Sequence, residues 1–593
     1  MSLQLENLGT RRRTHTCGQL RAEHVGSKVL LMGWVHRVRD HGGVMFVDLR
    51  DRFGLTQVVF RPERSAALAA AARELHAEFV VAVEGEVGAR PAAMVNPHLP
   101  TGAIEVQATG LALLNTSETP PFEVEDDTTA SEDLRLRYRY LDLRRPALSE
   151  VIVLRHRTVA AVREFLDGQG FLEIETPVLV KPTPEGARDF VVPSRLHRGK
   201  FYALPQSPQL YKQILMVAGM DRYYQIARCL RDENLRADRQ PEHTQIDMEM
   251  SFAGEEDVFR VVEGMVRHVF GKVLGVDVPV PFPRLTYAEA MDRFGTDKPD
   301  LRFGLELGDV SELAAGSEMK AFQEAVAAGG RVKALVVPGG AKRTRKEIEG
   351  FEAAARELGA KGLGWARVAS PWEGGVSKFF PAALQARVAA ALGAREGDLL
   401  LLVAGPMPVA ARALGAVRSL LGRELSHAAG DFRFCWVREF PLFEWDAERQ
   451  GWAAMHHMFT MPLEEDLPRL ERDPGAVRGQ LYDLVANGVE LASGSIRIHR
   501  RDIQARVMKV VGLTAEEAER RFGFLLEAFQ YGAPPHGGIA PGVDRLVMLL
   551  AGRDSIRDTI AFPKTTSMAC LMDGSPAEVD PADLRDLGIR IEP

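Results

Sequence analysis

Cysteine is scarce in this chain of 593 residues: four, Cys17, Cys229, Cys435 and Cys570. They lie far apart and form no C-x-x-C pair. That excludes a disulfide framework and a cysteine-bound zinc site, and it suits a reducing compartment. Long apolar runs are missing as well. The most apolar stretch, LLLLVAG from Leu399, is far too short to span a bilayer. The first residues, MSLQLENLGTRRRTHT, lack the apolar core of a secretory signal. There is no G-x-x-x-x-G-K-[ST] and no G-x-G-x-x-G, so the common nucleotide-binding folds find no support. Nor is there a surplus of basic charge. Lys and Arg number 74 against 81 Asp and Glu, for a net charge of −7. The total points to no nucleic-acid partner, although local field rather than net charge decides such contacts. The expectation is a cytoplasmic protein without a membrane partner. Its length calls for three or four domains.

Residues 26–115 read as β. Segments such as KVLLMGWVHRV, VMFVDLRD and EFVVAVEGEV are short strands between turn residues, interrupted by one helical stretch, RSAALAAAAREL. Five strands and one helix in about a hundred residues suit a small Greek-key barrel of the OB type. A polar stretch follows, TSETPPFEVEDDTTASED, which reads as a hinge. From about residue 134, helix and strand signals mix. Residues 303–428 change character, becoming Gly- and Ala-rich without evident chemistry, and the mixed pattern then returns. The third block therefore reads as an insertion into a larger domain.

The most unusual stretch is CLRDENLRADRQPEHTQIDMEM, residues 229–250. Its flanks alternate. Gln245, Asp247 and Glu249 fall on one face of a strand, and Ile246, Met248 and Met250 on the other. The bland reading is a solvated sheet face. The opposing one is a site for a multiply charged ligand. Arg231 has the planar fork for a phosphate, Glu233 and Gln240 suit a base, and Asp247 suits an ammonium group. A second strand, NGVELASGSIRIH, carries Glu490 and Arg497. Their opposite parity puts them on opposite faces unless a bulge, expected at Ser493–Gly494, restores a shared one. A carboxylate and a guanidinium on one floor suit a metal ion and a substrate carboxylate. In a third stretch, GGIAPGVDRLVMLLAG, glycines lead into a helix with Arg545 in its first turn, an arrangement that favours anions. Gly542 there permits close backbone approach.

Taken together, these residues resemble the three signature motifs of class II aminoacyl-tRNA synthetases. GFLEIETPVL resembles motif 1, CLRDENLRADRQPEHTQIDME motif 2 and GGIAPGVDRL motif 3. TPEGARDF, FYALPQSPQLYKQ, MHHMFT and YRYLDLRR are similar to bacterial aspartyl-tRNA synthetases of subclass IIb, over nearly the whole chain. The resemblance implies a multidomain α+β protein. An N-terminal OB-fold anticodon-binding barrel would span 1–117 and a hinge 118–145. A class II antiparallel-sheet catalytic domain would occupy 146–302 and 429–565, split by an inserted α+β domain over 303–428. A C-terminal extension would cover 566–593. It further implies a homodimer that joins L-aspartate to ATP and then to tRNA(Asp).

Site residues follow from the same resemblance. Arg231, Arg545 and Glu490 would be catalytic, and Asp483 and Glu490 would hold Mg²⁺. Glu185, Gln209, Lys212, Arg231, Gln245, Asp247, His456 and Arg497 would bind aspartate. ATP would meet Arg231, Asp232, Glu233, Gln240, His243, Glu490, Gly542, Val543, Asp544 and Arg545. In the barrel, Phe46 shares an outward face with Asp48 and suits base stacking. The family pattern adds Arg39, Gln57 and Glu105 as anticodon partners. Some positions depart from the family. His243 replaces a stacking Phe, Leu230 replaces a Phe, Ala492 and Ser493 replace glycines, and Met458 replaces a Pro. His41 and Ala93 resemble members with relaxed tRNA choice, which also charge tRNA(Asn) for a tRNA-dependent amidotransferase. The alternatives are a strictly tRNA(Asp)-specific enzyme, a lysine or asparagine relative, and an inactive RNA-binding paralogue. Intact Arg231, Glu233, Glu490, Arg497 and Arg545 argue against the last.

Overall fold

The computed structural model describes residues 4–183, 187–233, 239–425 and 430–592. The chain forms two compact units. One comprises Met1–Val153 with Arg557–Ala577, the other Leu154–Ile556 with Glu578–Pro593.

In the first unit, strands β1 (Lys28–His41), β2 (Val44–Asp51), β3 (Gly54–Phe60), β4 (Val80–Ala89) and β5 (Ile104–Asn115) close a barrel in the order β1-β2-β3-β5-β4. Alternation in sequence becomes inside and outside in space. Met45, Val47 and Leu49 lie in the barrel core with Val29, Leu31 and Val83. The helix Ala66–Ala72 joins β3 to β4. The stretch expected to act as a hinge carries two short helices, Glu132–Arg137 and Arg139–Asp142. Asp142 is fully buried and accepts from Arg139 at 2.8 Å and Arg145 at 2.6 Å. Arg139 also donates to the carbonyls of Arg557, Ile560 and Ala561. A buried carboxylate shared by two arginines orders a segment that composition marks as polar and loose.

The second unit is built on an eight-stranded sheet. Its strands are β6 (Leu172–Glu173), β7 (Arg222–Leu230), β8 (Glu242–Ser251), β9 (Arg284–Thr286), β10 (Phe434–Arg438), β11 (Leu481–Ala486), β12 (Val489–Ile496) and β13 (His536–Pro541). The spatial order is β9-β10-β11-β12-β13-β8-β7-β6. The pairs from β10 to β7 are antiparallel. Segments far apart in sequence thus become neighbours at the centre of one sheet. Three helices matter to the site: α1 (Gln209–Val217), α2 (Glu255–Leu274) and α3 (Val543–Leu550). α2 seals the far side, where Phe259 stacks on Trp436 with centroids 4.1 Å apart.

Between β9 and β10 the chain makes a separate four-stranded antiparallel sheet from Leu307–Asp309, Arg331–Val337, Gly364–Arg367 and Leu399–Gly405. Leu399, Leu401 and Val403 face one apolar cluster, and Leu400 and Leu402 another. The run that looked like uninterrupted apolar sequence is therefore a central strand buried on both faces. The helix Met407–Glu424 carries Arg418, only 1% exposed. Its guanidinium donates to the carbonyls of Asp300, Phe303, Gly304 and Leu305.

Candidate active site

Cross-strand register lays the site out in rows. Glu249 of β8 faces Gly538 of β13, which faces Ser495 of β12. One row on, Ala540 pairs with Ser493, which pairs with Asp483 of β11. Beyond that, Gln245 bridges Gly542. Directly opposed residues share a sheet face, so these rows form one floor. Over it lies a cavity of about 480 Å³.

The expected bulge in β12 exists, but not at Ser493–Gly494. Ala492 pairs with Leu484 and Glu490 with Val485, so Leu491 is the extra residue. The outcome is the one anticipated. Glu490 reaches the face of Asp483, Ser493 and Arg497. Gly494 cannot bulge freely, because a Cβ there would stand 2.3 Å from the Gly538 carbonyl oxygen.

One end of the cavity is a buried charge lattice. Lys212 Nζ, from α1, lies 2.9 Å from Asp247 Oδ1 and 3.3 Å from Glu249 Oε2. Arg497 forks onto Glu249 from Nε at 3.0 Å and NH2 at 3.2 Å. Its NH1 donates to Ser495 Oγ at 2.6 Å and to His457 Nε2 at 2.8 Å. Sequence reasoning assigned no role to Glu249, His457 or Ser495. Glu249 was detectable: it shares the parity of Asp247 on a strand already singled out. Gly538 makes room for it, since a Cβ there would sit 2.0 Å from Glu249 Oε2. Two buried polar atoms at this end have no hydrogen-bond partner, the acceptor Asp247 Oδ2 and the donor Gln209 Nε2. Such atoms are costly unless something satisfies them.

Burial alone would push the Glu249 carboxyl up, but Arg497 and Lys212 together hold it below the usual glutamate range. A carboxyl depressed on folding adds stability that is complete above its unfolded value and is lost as pH falls through the folded one. Melting temperature against pH is therefore expected to show the wild type well above Glu249→Gln at neutral pH. The gap should close below about pH 4, under the ordinary glutamate value. A pH-independent gap would mean that Glu249 is not held as an ion. Asp247 behaves oppositely: burial raises its carboxyl despite Lys212.

The other end carries arginines. Arg231 follows β7, and its guanidinium makes no hydrogen bond or ion pair with the described residues. Arg545, in the first turn of α3, donates to the Glu490 carbonyl at 2.8 Å and stands 3.7 Å from Glu490 Oε1. His243 is neutral, its pKa lowered to about 3 by burial and by Arg231, Arg228 and Arg545. An uncharged imidazole offers a flat face without adding to the local charge. Glu233 pairs with Arg239 at 3.0 Å, and Gln240 is buried beside them. The Asp544 carboxylate is held within the protein: it accepts from the Thr244 N–H at 3.0 Å and pairs with Arg155. A Cβ on Gly542 would meet Leu491 O only at 3.8 Å, so protein packing does not require glycine there.

Between the two ends lie Asp483 and Glu490. Asp483 is buried with Oδ1 unpartnered, and burial followed by Glu490 raises its carboxyl far above the usual range. Glu490 Oε2 is 2.6 Å from Lys298 Nζ; burial alone would raise its carboxyl, but Lys298, with Arg545 and His456, lowers it. An orphaned carboxylate oxygen beside a second carboxylate fits a hard divalent ion, which takes oxygen ligands and keeps several waters. His456 Nδ1 lies 3.1 Å from Ser493 Oγ.

Of the expected residues, Gln209, Lys212, Arg231, Glu233, Gln240, His243, Gln245, Asp247, His456, Glu490, Arg497, Gly542, Asp544 and Arg545 all line this one cavity. Asp232, Val543 and Asp483 are not part of its wall. Val543 is fully buried, and the backbone of Asp232 bonds to Arg188. Glu185 lies outside the described residues.

On the barrel, Arg39 forks onto Asp48 at 2.7 and 2.8 Å, and Gln57 donates to Glu105 at 3.0 Å. Phe46 pairs with Arg39 across β1 and β2 and is half-buried. His41 meets its ring edge-on, with centroids 5.6 Å apart. Ala93 lies in the exposed turn Ala92–Met94.

The family described as tRNA synthetases class II (D, K and N) matches residues 131–566, and an OB-fold nucleic acid binding domain matches 29–114. The aspartate–tRNA(Asp/Asn) ligase of Desulfatibacillum aliphaticivorans is 55% identical over 588 residues, 99% of this chain and 98% of the relative. That of Rubrobacter xylanophilus is 56% identical over 582 residues, 98% and 97% of the two. The aspartate–tRNA ligase of Geobacillus kaustophilus is 53% identical over 582 residues, 98% and 99% of the two. Among solved structures, the asparaginyl-tRNA synthetase of Pyrococcus horikoshii with asparaginyl-adenylate aligns at a TM-score of 0.59 and 20% identity, covering 93% of this chain and 98% of that one. A putative aspartyl-tRNA synthetase from Leishmania major aligns at 0.60 and 19%, covering 95% and 96%. These two share the fold. With the family match spanning most of its length and relatives above half identity end to end, the chain belongs to the class II tRNA synthetases of the D, K and N group.

Proposed function

We propose that the chain is an aspartate–tRNA ligase that charges both tRNA(Asp) and tRNA(Asn). The observation that carries aspartate is the lattice at the amino-acid end. Lys212 and Arg497 are buried cations converging on one small space. A side-chain carboxylate offers an acceptor oxygen to each cation, whereas an amide would turn its own N–H donors toward one of them. Unpartnered Asp247 Oδ2 and Gln209 Nε2 match an ammonium and an α-carboxylate. A lysine substrate would bring a third cation to this end.

In the first step an oxygen of the aspartate α-carboxylate attacks the α-phosphorus of ATP, and pyrophosphate leaves. Arg231 and Arg545 hold the phosphates and offset the charge that grows on the transferring group. His243 stacks on the adenine, and Glu233 and Gln240 bond to the nucleotide. Asp483 and Glu490 would hold Mg²⁺, which supplies further charge compensation on the phosphates when bound. In the second step a ribose hydroxyl at the tRNA 3′ end attacks the activated carbonyl and AMP leaves. No enzyme-bound covalent intermediate is needed, so catalysis rests on positioning.

The barrel reads the anticodon, with Phe46 stacking on a base and Arg39, Gln57 and Glu105 bonding around it. His41, packed on the Phe46 edge, and the small Ala93 support relaxed tRNA choice, as do the names of several relatives. The enzyme works as a homodimer in the cytoplasm and hands its tRNA(Asn) product to an amidotransferase. Among the described residues no helix is long and apolar enough to cross a membrane. The test is charging of each purified tRNA, with pyrophosphate exchange run on aspartate, asparagine and lysine. Aspartate is expected on both tRNAs and exchange with aspartate alone. No aspartate on tRNA(Asn) would reduce the enzyme to a tRNA(Asp)-specific one.

A further inference from the structure

The segment that leads from the catalytic sheet into the inserted domain sends one side chain back to Glu490 in the cavity wall. Lys298 lies two residues before Asp300, whose carbonyl Arg418 holds at 2.8 Å from the inserted helix. Arg418 grips three more carbonyls of the same segment, at 303, 304 and 305. Asp300 in turn accepts from Arg302 through both oxygens, and Leu301 packs on the catalytic core beside Cys435 and Val485. The backbone around Lys298 is therefore fixed from both domains. Its side chain is another matter: 38% exposed, it reaches in from the rim to put Nζ 2.6 Å from Glu490 Oε2.

Two carboxylates on neighbouring strands repel, and Asp297 adds a further negative field at Asp483. Arg545 contributes less than Lys298 to holding Glu490 as an ion. Its short bond goes to the Glu490 carbonyl, and its approach to the carboxylate is 3.7 Å. Lys298 supplies the nearer positive charge, at 2.6 Å. An ammonium is a compact, strongly hydrated charge on a flexible stem, so it can leave without any backbone movement.

We propose that Lys298 holds the place of the divalent cation at Asp483 and Glu490 in the nucleotide-free enzyme, and that it must release Glu490 before ATP and its metal can seat. This rests on the reading that those two carboxylates bind Mg²⁺. The anchored segment makes the inserted domain part of the active site: Arg418 fixes the point from which Lys298 reaches Glu490. The placeholder holds the Glu490 carboxylate in position while the site is empty, at the expense of competing with the metal.

Mn²⁺ titration of the nucleotide-free full chain at pH 8, followed by the electron paramagnetic resonance signal of the free ion, tests this without turnover. Lys298→Met and Lys298→Gln should bind Mn²⁺ roughly tenfold more tightly than wild type, because a competing charge is gone. Lys298→Arg should stay near wild type, and Glu490→Gln should lose the tight site. The melting temperature of Lys298→Met should also rise more on Mn²⁺ addition than that of wild type. Unchanged or weaker binding in both neutral variants, beside a lost site in Glu490→Gln, overturns the proposal alone. Wild-type binding in Glu490→Gln overturns the metal reading and this proposal with it.

Discussion

Arg231→Ala is expected to slow aspartate-dependent ATP–pyrophosphate exchange by about 10²- to 10³-fold while leaving the melting temperature unchanged. The two halves of that expectation come from one fact. The guanidinium of Arg231 lines the cavity but makes no hydrogen bond or ion pair with the described residues. A cation held by no anion among the described residues contributes little to folding. In the proposed reaction it faces the transferring phosphoryl group and acts where charge develops. Arg231→Lys should recover only part of the rate, because a point charge cannot fork across two phosphate oxygens. Pre-steady-state adenylate formation should show the same loss as steady-state exchange. Exchange near the wild-type rate in Arg231→Ala would remove this residue from the reaction.

The second large effect separates differently. Arg497→Leu should lower stability by about 3–5 kcal/mol, the usual consequence of removing one member of a buried ion pair. It should also abolish exchange with aspartate. Lys212 and Arg497 balance Asp247 and Glu249, two cations against two anions, all of them buried. Taking away one cation leaves an anion stranded. The double variant Glu249→Gln with Arg497→Leu restores the balance at one of each. It is expected to regain much of the lost stability in urea unfolding and none of the activity. If activity returned with stability, Arg497 would be a structural residue only.

Much of this arrangement was readable in advance, because it rests on strand parity. Gln245, Asp247 and Glu249 alternate with apolar residues, and the sheet places them as that period requires. The barrel was readable for the same reason. What escaped is what parity cannot convey. The defect in β12 sits at Leu491 and not at the glycine that seemed to invite it, because Gly494 is fixed by its closeness to Gly538. Asp544 lies in a motif that suggests nucleotide contact, yet its carboxylate ties α3 to β8. Arg418 and Lys333 are buried cations in the inserted domain. Residue type argues for exposure, and only the carbonyls and the carboxylate that await them in space reverse it. Lys298 is beyond the reach of motif reading altogether, since it belongs to none of the three signature stretches.

The misstep in β12 has one more implication. With a regular pleat, residues 490 and 497 would point to opposite sides of the sheet, and the cavity would hold either the carboxylate or the guanidinium. The surplus residue is what lets one strand supply both. Spacing along the chain is thus as much a reagent as any functional group: deleting Leu491 while keeping every named side chain would erase the chemistry.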